Sequence, residues 1–493
     1  MAYNLRKTKI TCTLGPATCG KLWTLESLKD PSRASEVEQA YQTIEGITNA
    51  GFSVCRLNFS HGTQDEQMVR VEMVRNVSKK LNTPISLLLD TKGPEIRLCE
   101  IIEGQGLVKA GDVVVIQSTK KIKGTGKEFS VTDSTGKYNM ANDIGVGSLI
   151  LIDDGKLWLK ATAVDKASGK ITSVAENSHT IKTNKRINLP GAAYTMPFIS
   201  KKDQEDIKLA CKEKFDYIAA SFVNNVENIK EIRKIIGKAD IKIIAKIEST
   251  DGIKNLDKII AESDGIMVAR GDLGIEIPYY DVPYYEEYMI ERCRKLGKPV
   301  IVATQMLDSM ERNLLCTRAE STDVYFASKA GADATMTSGE TAQGLFPVQT
   351  VQTMCNLNQA AERLFDYDAA IANLSKLYTG VARTTALAIA KKTKPEAQRT
   401  LKAKFPFELV VLYDDNDQVI KAVSAVRPAA HVIFVTDNRS TYTKYGAYYG
   451  VTGWLVKDKN EAAKNLKATT AAIVKQYGRG SKKAISFLKG KFI

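Results

Sequence analysis

Lys246 and Glu248 lie two residues apart in the run IIAKIE, and Asp272 follows the next β-branched run in VARGDLG. If both runs are strands, alternation puts Lys246 and Glu248 on one face. Glu248 and Asp272 are hard oxygen donors at the ends of adjacent strands. That suits magnesium, which takes one or two carboxylates and completes its shell with substrate oxygens and water. A fixed ammonium beside a divalent cation suits a substrate bearing a phosphate or a developing enolate. Gly271-Asp272-Leu273-Gly274 reads as a turn into a short helix whose free amides can hold a carboxylate. The bland alternative is an ordinary ion pair between Lys246 and a neighbouring acid.

A second oxygen cluster, Asn58, Ser60, Asp90 and Thr91, falls beside Arg56. Few charges and soft geometry there suit a monovalent cation. One string is a decoy. Gly15-Pro16-Ala17-Thr18-Cys19-Gly20-Lys21 matches most of the phosphate-loop pattern, but Leu22 replaces the metal-binding hydroxyl and Pro16 removes an amide from the cradle. His61, His179 and His431 have no spacing that supports a nucleophilic triad, so covalent catalysis is not expected.

The elements that position these residues are short β-branched runs, each followed by a turn and then by helical periodicity. The runs are 9–14, 53–57, 85–89, 217–221, 241–246, 265–269, 300–303 and 334–337. Such a β/α alternation predicts a TIM barrel, a (β/α)8 fold of the α/β class, whose catalytic groups sit at the C-terminal strand ends. Polar residues fall there: Arg56, Asn58, Ser60 and His61 after the second run; Asp90, Thr91 and Lys92 after the third; Lys246 and Glu248 at the fifth. Arg270 and Asp272 follow the sixth, Thr304 the seventh, and Ser338 and Glu340 the eighth. A single charged residue after a strand is usually just solvated. Ionisable groups of both signs on many strand ends instead imply a charged pocket.

Residues 94–190, rich in Gly, Val, Ile and Thr, read as a small β-barrel inserted in a barrel loop, and 369–493, with ELVVLY and HVIFVT, as a C-terminal α/β domain. The barrel then takes 1–93 and 191–368. The stretch 19–35 reads as an irregular insertion.

A chain of 493 residues, 44% apolar and 26% charged, predicts several folded domains. It has no uncharged apolar stretch of about 18 residues, and Arg6, Lys7 and Lys9 precede no secretory core, so a cytoplasmic protein is expected. Eight scattered cysteines without a Cys-x-x-Cys pair suggest neither a disulfide frame nor a zinc site. The net charge of +14 gathers near the C-terminus, at Lys475, Arg479, Lys482, Lys483, Lys489 and Lys491, and reads first as a solvated tail. A nucleic-acid-binding role rests on that charge alone.

The strings TKITCTLGPAT, VCRLNFSHG, LLLDTKGPEIR, NLPG, AKIE, VARGDLGIEIP, VATQML, TRAEST and SGETAQG resemble, in order and spacing, the signature set of the pyruvate kinase family. The resemblance implies a barrel, a lid-like β-barrel and a C-terminal α/β domain, assembled as a homotetramer. It implies phosphoryl transfer from phosphoenolpyruvate to ADP in glycolysis, with Mg2+ and K+ as cofactors. Lys246 would neutralise the transferring group and the enolate, Glu248 and Asp272 would hold magnesium, and Gly271, Asp272 and Thr304 would take the substrate carboxylate. Arg56 would contact phosphoryl group and nucleotide, His61 and Lys185 the nucleotide, and Asn58, Ser60, Asp90 and Thr91 potassium. Glu95 matches the potassium-dependent branch, and a water relay near Thr304 would protonate the enolate carbon. A mutase or aldolase acting through a magnesium enolate is the rival enzyme; the inserted domain and Lys185 speak against it, because such enzymes need no lid for a nucleotide.

Two departures stand out. Cys316 replaces a proline and Tyr325-Phe326 interrupts a small-residue pattern, which bears on subunit packing. After ELVVLY a hydroxyl-rich phosphate loop gives way to Asp414-Asp415-Asn416-Asp417, so activation by fructose 1,6-bisphosphate is expected to be absent.

Overall fold

The computed structural model describes residues 6–374, 377–395, 405–477 and 484–493. Eight parallel strands close into a barrel in the spatial order Lys9–Thr13, Ala334–Thr337, Val300–Ala303, Gly265–Ala269, Lys242–Ile247, Tyr217–Ala220, Ser86–Asp90 and Val54–Asn58. Most of these strands are buried on both faces, and so appear as unbroken apolar runs rather than alternations. Their register sets the chemistry at the mouth: Thr13 pairs with Arg56, Asn58 with Asp90, and Asp90 with Ala219.

Between the third strand and the helix Lys201–Lys212 stands a second closed barrel of seven strands, running in sequence from Ile96–Leu98 to Arg186–Asn188. Its strand Leu157–Asp165 begins with an alternation of buried and exposed residues, as a small barrel with a filled interior requires. Ile96, Val114, Phe129, Ile150, Leu159 and Ile171 seal that interior. A ribbon of Gln105–Val108 and His179–Lys182 flanks it.

The C-terminal sheet has five strands, in the order Val451–Leu455, His431–Thr436, Leu409–Leu412, Ala484–Leu488 and Lys491–Phe492. It docks on the floor of the large barrel, opposite the mouth. Lys9 Nζ donates to Val451 O at 2.6 Å, the Arg427 guanidinium pairs with Asp333 at 2.9 Å, and Thr443 Oγ1 donates to Asp216 at 2.7 Å. Burial pushes the Asp216 carboxyl up to about 6. Of the basic tail, Arg479, Lys482 and Lys483 lie outside the described residues, and Lys475, Lys489 and Lys491 are exposed.

Stretch 19–35 is folded rather than irregular throughout, with short turns Leu25–Leu28 and Pro31–Arg33 leading into the helix Ala34–Ala50. There the Glu36 carboxylate accepts from Lys21 N at 2.6 Å and pairs with Arg33. An acid already sits where the decoy loop would need a phosphate. All eight cysteines are free thiols, and among the described residues no helix is long and apolar enough to cross a membrane.

Candidate active site

Asp90 ends its strand at the barrel mouth with 1% of its surface exposed, and it takes two cations. Arg56 Nε donates to one carboxylate oxygen at 2.6 Å and Lys246 Nζ to the other at 2.9 Å. Burial alone would raise the Asp90 pKa, but Arg56 and Lys246 outweigh it and hold the group below the usual carboxylate range. Lys246 also donates to Ser221 Oγ at 2.7 Å and lies 3.1 Å from Glu248 Oε1. Burial would discharge this lysine; Asp90 and Glu248 prevail and keep it an ammonium.

Glu248 shares the face of Lys246, as strand alternation requires, and its Oε2 accepts from Phe222 N at 2.7 Å. Burial pushes its pKa up to about 7; Lys246 opposes the rise, while Asp272 and Asp90 add to it. Such a carboxylate gains from a nearby divalent cation. Asp272, in the short helix Arg270–Glu276, is met instead by the Arg186 guanidinium from the lid. Glu248, Asp272 and Lys246 line one cavity of 380 Å³. Among the described residues no three His, Cys, Asp or Glu converge on a metal position. Two carboxylates are nevertheless what magnesium uses when substrate oxygens complete its shell, so the donor set fits that ion.

Asn58, Ser60 and Asp90 line the same cavity together with Glu95. Neutral oxygens with few carboxylates fit a monovalent cation. Thr91 stands behind them: its hydroxyl accepts from Ser221 N at 3.0 Å and its carbonyl from Ser221 Oγ at 2.7 Å.

A second cavity of 950 Å³ shares Arg56, Asn58, His61, Arg186 and Asp272 with the first and extends to Gly271 and Thr304. Thr304 has φ +68° and Gln305 φ +53°, a left-handed pair that costs a β-branched residue strain. Arg270 bolts this turn in place, donating to Thr304 O at 2.7 Å and to Asp323 at 2.5 Å. The amide expected to be free at Gly271 is not free. It donates to Thr304 Oγ1 at 2.7 Å, because a first-turn helix amide has no carbonyl of its own and the hydroxyl lies within reach.

His61 lines both cavities, and burial with the nearby Arg97 lowers its pKa. Lys185 stands on the wall of the smaller cavity and pairs with Asp153 at 2.7 Å. Glu340, expected to face the pocket with Ser338, does not. It is 1% exposed and accepts from Leu307 N and Ser338 N at 3.2 and 2.6 Å, so it serves the backbone. Ser338 does line the larger cavity. Sequence reasoning gave no role to Ser221, a hydroxyl ending an apolar run, or to Arg186, which belongs to a different domain. The Arg270 side chain was visible at a strand end, but its partner Asp323 was not.

Fold and site define a (β/α)8 protein whose barrel mouth, beside an inserted β-barrel, gathers buried charges of both signs around one cavity, an arrangement suited to an anionic substrate. The family profile for the pyruvate kinase barrel domain matches residues 5–351. The chain is 46% identical to a pyruvate kinase of Mycoplasma pneumoniae over 97% of its own length and 96% of that protein. It is 47% identical to the Mycoplasma genitalium pyruvate kinase, covering 93% and 92% of the two chains. A crystal structure of a pyruvate kinase from Cryptosporidium parvum superposes with a TM-score of 0.83 at 31% identity, over 99% of this chain and 96% of that one. The chain belongs to the pyruvate kinase family and is a phosphotransferase.

Proposed function

We propose that the chain moves the phosphoryl group of phosphoenolpyruvate to ADP, giving ATP and pyruvate, with Lys246 and Arg56 as the cations that receive the transferring charge. The observation that carries this reading is the shared anchor Asp90, which presents both cations to one cavity beside Glu248 and Asp272. Phosphoryl transfer passes through a loose, highly anionic state, so the protein mainly positions and neutralises. Preorganised donors do this best when already fixed, as Lys246 is by Asp90, Ser221 and Glu248.

Glu248 and Asp272 would hold Mg2+, which when bound supplies Lewis-acid neutralisation of the substrate oxygens. Asn58, Ser60 and Asp90, with Thr91 and Glu95 beside them, are the proposed surroundings of K+. Asp272, Thr304 and the Gly271 amide are the proposed carboxylate site; substrate would have to compete with the Thr304 hydroxyl for that amide. His61 and Lys185, on the lid side of the cavity, are the proposed nucleotide contacts. In this reading the enolate carbon would face the Thr304 side of the larger cavity, where a water relay would deliver its proton.

Fructose 1,6-bisphosphate is not expected to act. Lys459 and Lys421 neutralise Asp415 and Asp417 at 2.7 and 2.6 Å, so repulsion is weaker than three bare carboxylates would give. In addition, Asn416 Oδ1 already accepts from Gln418 N and Val419 N, the amides a phosphate would need. A homotetramer belongs to the same reading, supported by the exposed apolar side chains Tyr279, Tyr280, Leu314 and Leu315.

The test is a coupled dehydrogenase assay with purified protein, phosphoenolpyruvate, ADP and Mg2+, with and without K+. Pyruvate formed only when all three are present supports the reading; none formed would sink it.

A further inference from the structure

Two adjacent residues of the lid strand Arg186–Asn188 and its approach treat their charges differently. Lys185 pairs inside the lid with Asp153 at 2.7 Å, whereas Arg186 points the other way and crosses the domain seam to Asp272. The Arg186 guanidinium also lies 4.0 Å from Glu95 and stacks over the Phe222 ring at 5.1 Å. The carboxylates facing it are Asp272, Glu95, Glu248 and Asp154. It is thus a cation carried by the inserted barrel into a group of acids that includes Asp272 and Glu248. One further bond crosses the seam from the same strand, Asn188 Nδ2 donating to Glu276 at 3.2 Å.

We propose that Arg186 is a positioning residue, a latch that holds the lid shut by lending its own charge to Asp272, so that lid closure and divalent-metal loading compete for one carboxylate. The inference rests on the reading of Asp272 as a metal ligand. A guanidinium and a divalent cation cannot both satisfy the same carboxylate at close range without repelling each other. Metal entering an empty enzyme must therefore displace Arg186, which loosens the seam on its lid side. A latch engaged about nine-tenths of the time lowers the apparent metal affinity about tenfold.

The experiment measures Mn2+ binding to the full-length protein without substrates, by the paramagnetic resonance signal of the free ion, for wild type, Arg186→Met and Asp272→Asn. Arg186→Met keeps an apolar stem against Phe222 and removes the charge. Expected is about tenfold tighter Mn2+ binding in Arg186→Met and weakened binding in Asp272→Asn. Unchanged or weaker binding in Arg186→Met, with Asp272→Asn still impaired, overturns the latch and leaves the metal reading intact. Wild-type binding in Asp272→Asn removes the metal reading and the latch with it. A second measurement needs no variant: amide exchange in 186–188 of the wild type should speed up when Mg2+ alone is added. Protection of those amides by Mg2+ overturns the proposal.

Discussion

Lys246 reaches past the neighbouring strand to Asp90, and the two charges meet at 2.9 Å although 156 positions separate them in the chain. The strand between them, Tyr217–Ala220, is followed by Ser221, whose hydroxyl fills the gap. Closing the barrel creates the pair, and the pair fixes where the ammonium stands before any substrate arrives.

Replacing that ammonium tests its part directly. Lys246→Met is expected to lower kcat about 100-fold or more, the equivalent of about 3 kcal/mol of lost transition-state stabilisation. A thermal melt run alongside separates slow chemistry from unfolding, since Asp90 and Glu248 lose a counter-ion. Near-normal turnover would remove Lys246 from the mechanism.

Asp90→Asn leaves Arg56 and Lys246 close together without the charge that holds them. Turnover should fall about tenfold or more from their mutual repulsion, and the response to K+ should shrink. Titrating KCl against tetramethylammonium chloride at constant ionic strength checks both. A full potassium response in the variant contradicts the proposed cation site.

Thr304 combines strain with a hydroxyl that accepts the Gly271 amide. Thr304→Ala should lower kcat about tenfold, whereas Thr304→Ser, which keeps the hydroxyl and sheds the β-branch, should stay within a few-fold and melt no lower than wild type. Steady-state kinetics on both variants decide the matter; equal rates in all three proteins would assign Thr304 to structure alone.

Asp216 gives the domain junction a pH dependence of definite sign. Its folded pKa of about 6 exceeds the unfolded value, so its protonated form favours the folded state below about pH 4. That stabilisation is lost as pH rises from about 4 to about 6, and is on the order of 3 kcal/mol. Melting curves across this range should show a smaller pH-dependent loss in Asp216→Asn. Parallel profiles for the two proteins would mean that the carboxyl titrates normally.

Millimolar fructose 1,6-bisphosphate should leave the phosphoenolpyruvate saturation curve where it is. A clear leftward shift would show that the capped helix after Asn416 opens for a phosphate after all.

The eight barrel strands were legible because strands with both faces packed are written as continuous apolar runs, and their ends fell within a residue or so of the expected positions. The C-terminal sheet was less so. Val451–Leu455 carries Gly453 and a threonine in its middle, and Ala484–Leu488 follows a lysine-rich stretch, so neither stood out beside ELVVLY and HVIFVT. At the site, Arg56, Asp90, Lys246 and Glu248 could be read from strand ends alone. Ser221, Arg186 and the true business of Glu340 could not, because each depends on which backbone amide or distant acid the closed barrel brings alongside.

The small barrel keeps its oily interior to itself, sealed by Phe129, Leu159 and their neighbours. The bonds that Arg186 and Asn188 make from it to Asp272 and Glu276 of the large barrel are polar, and solvent can replace each in kind. On the proposed reading, opening that gate for a nucleotide would demand little work, and what it closes upon, rather than how it is hinged, would decide how long it stays shut.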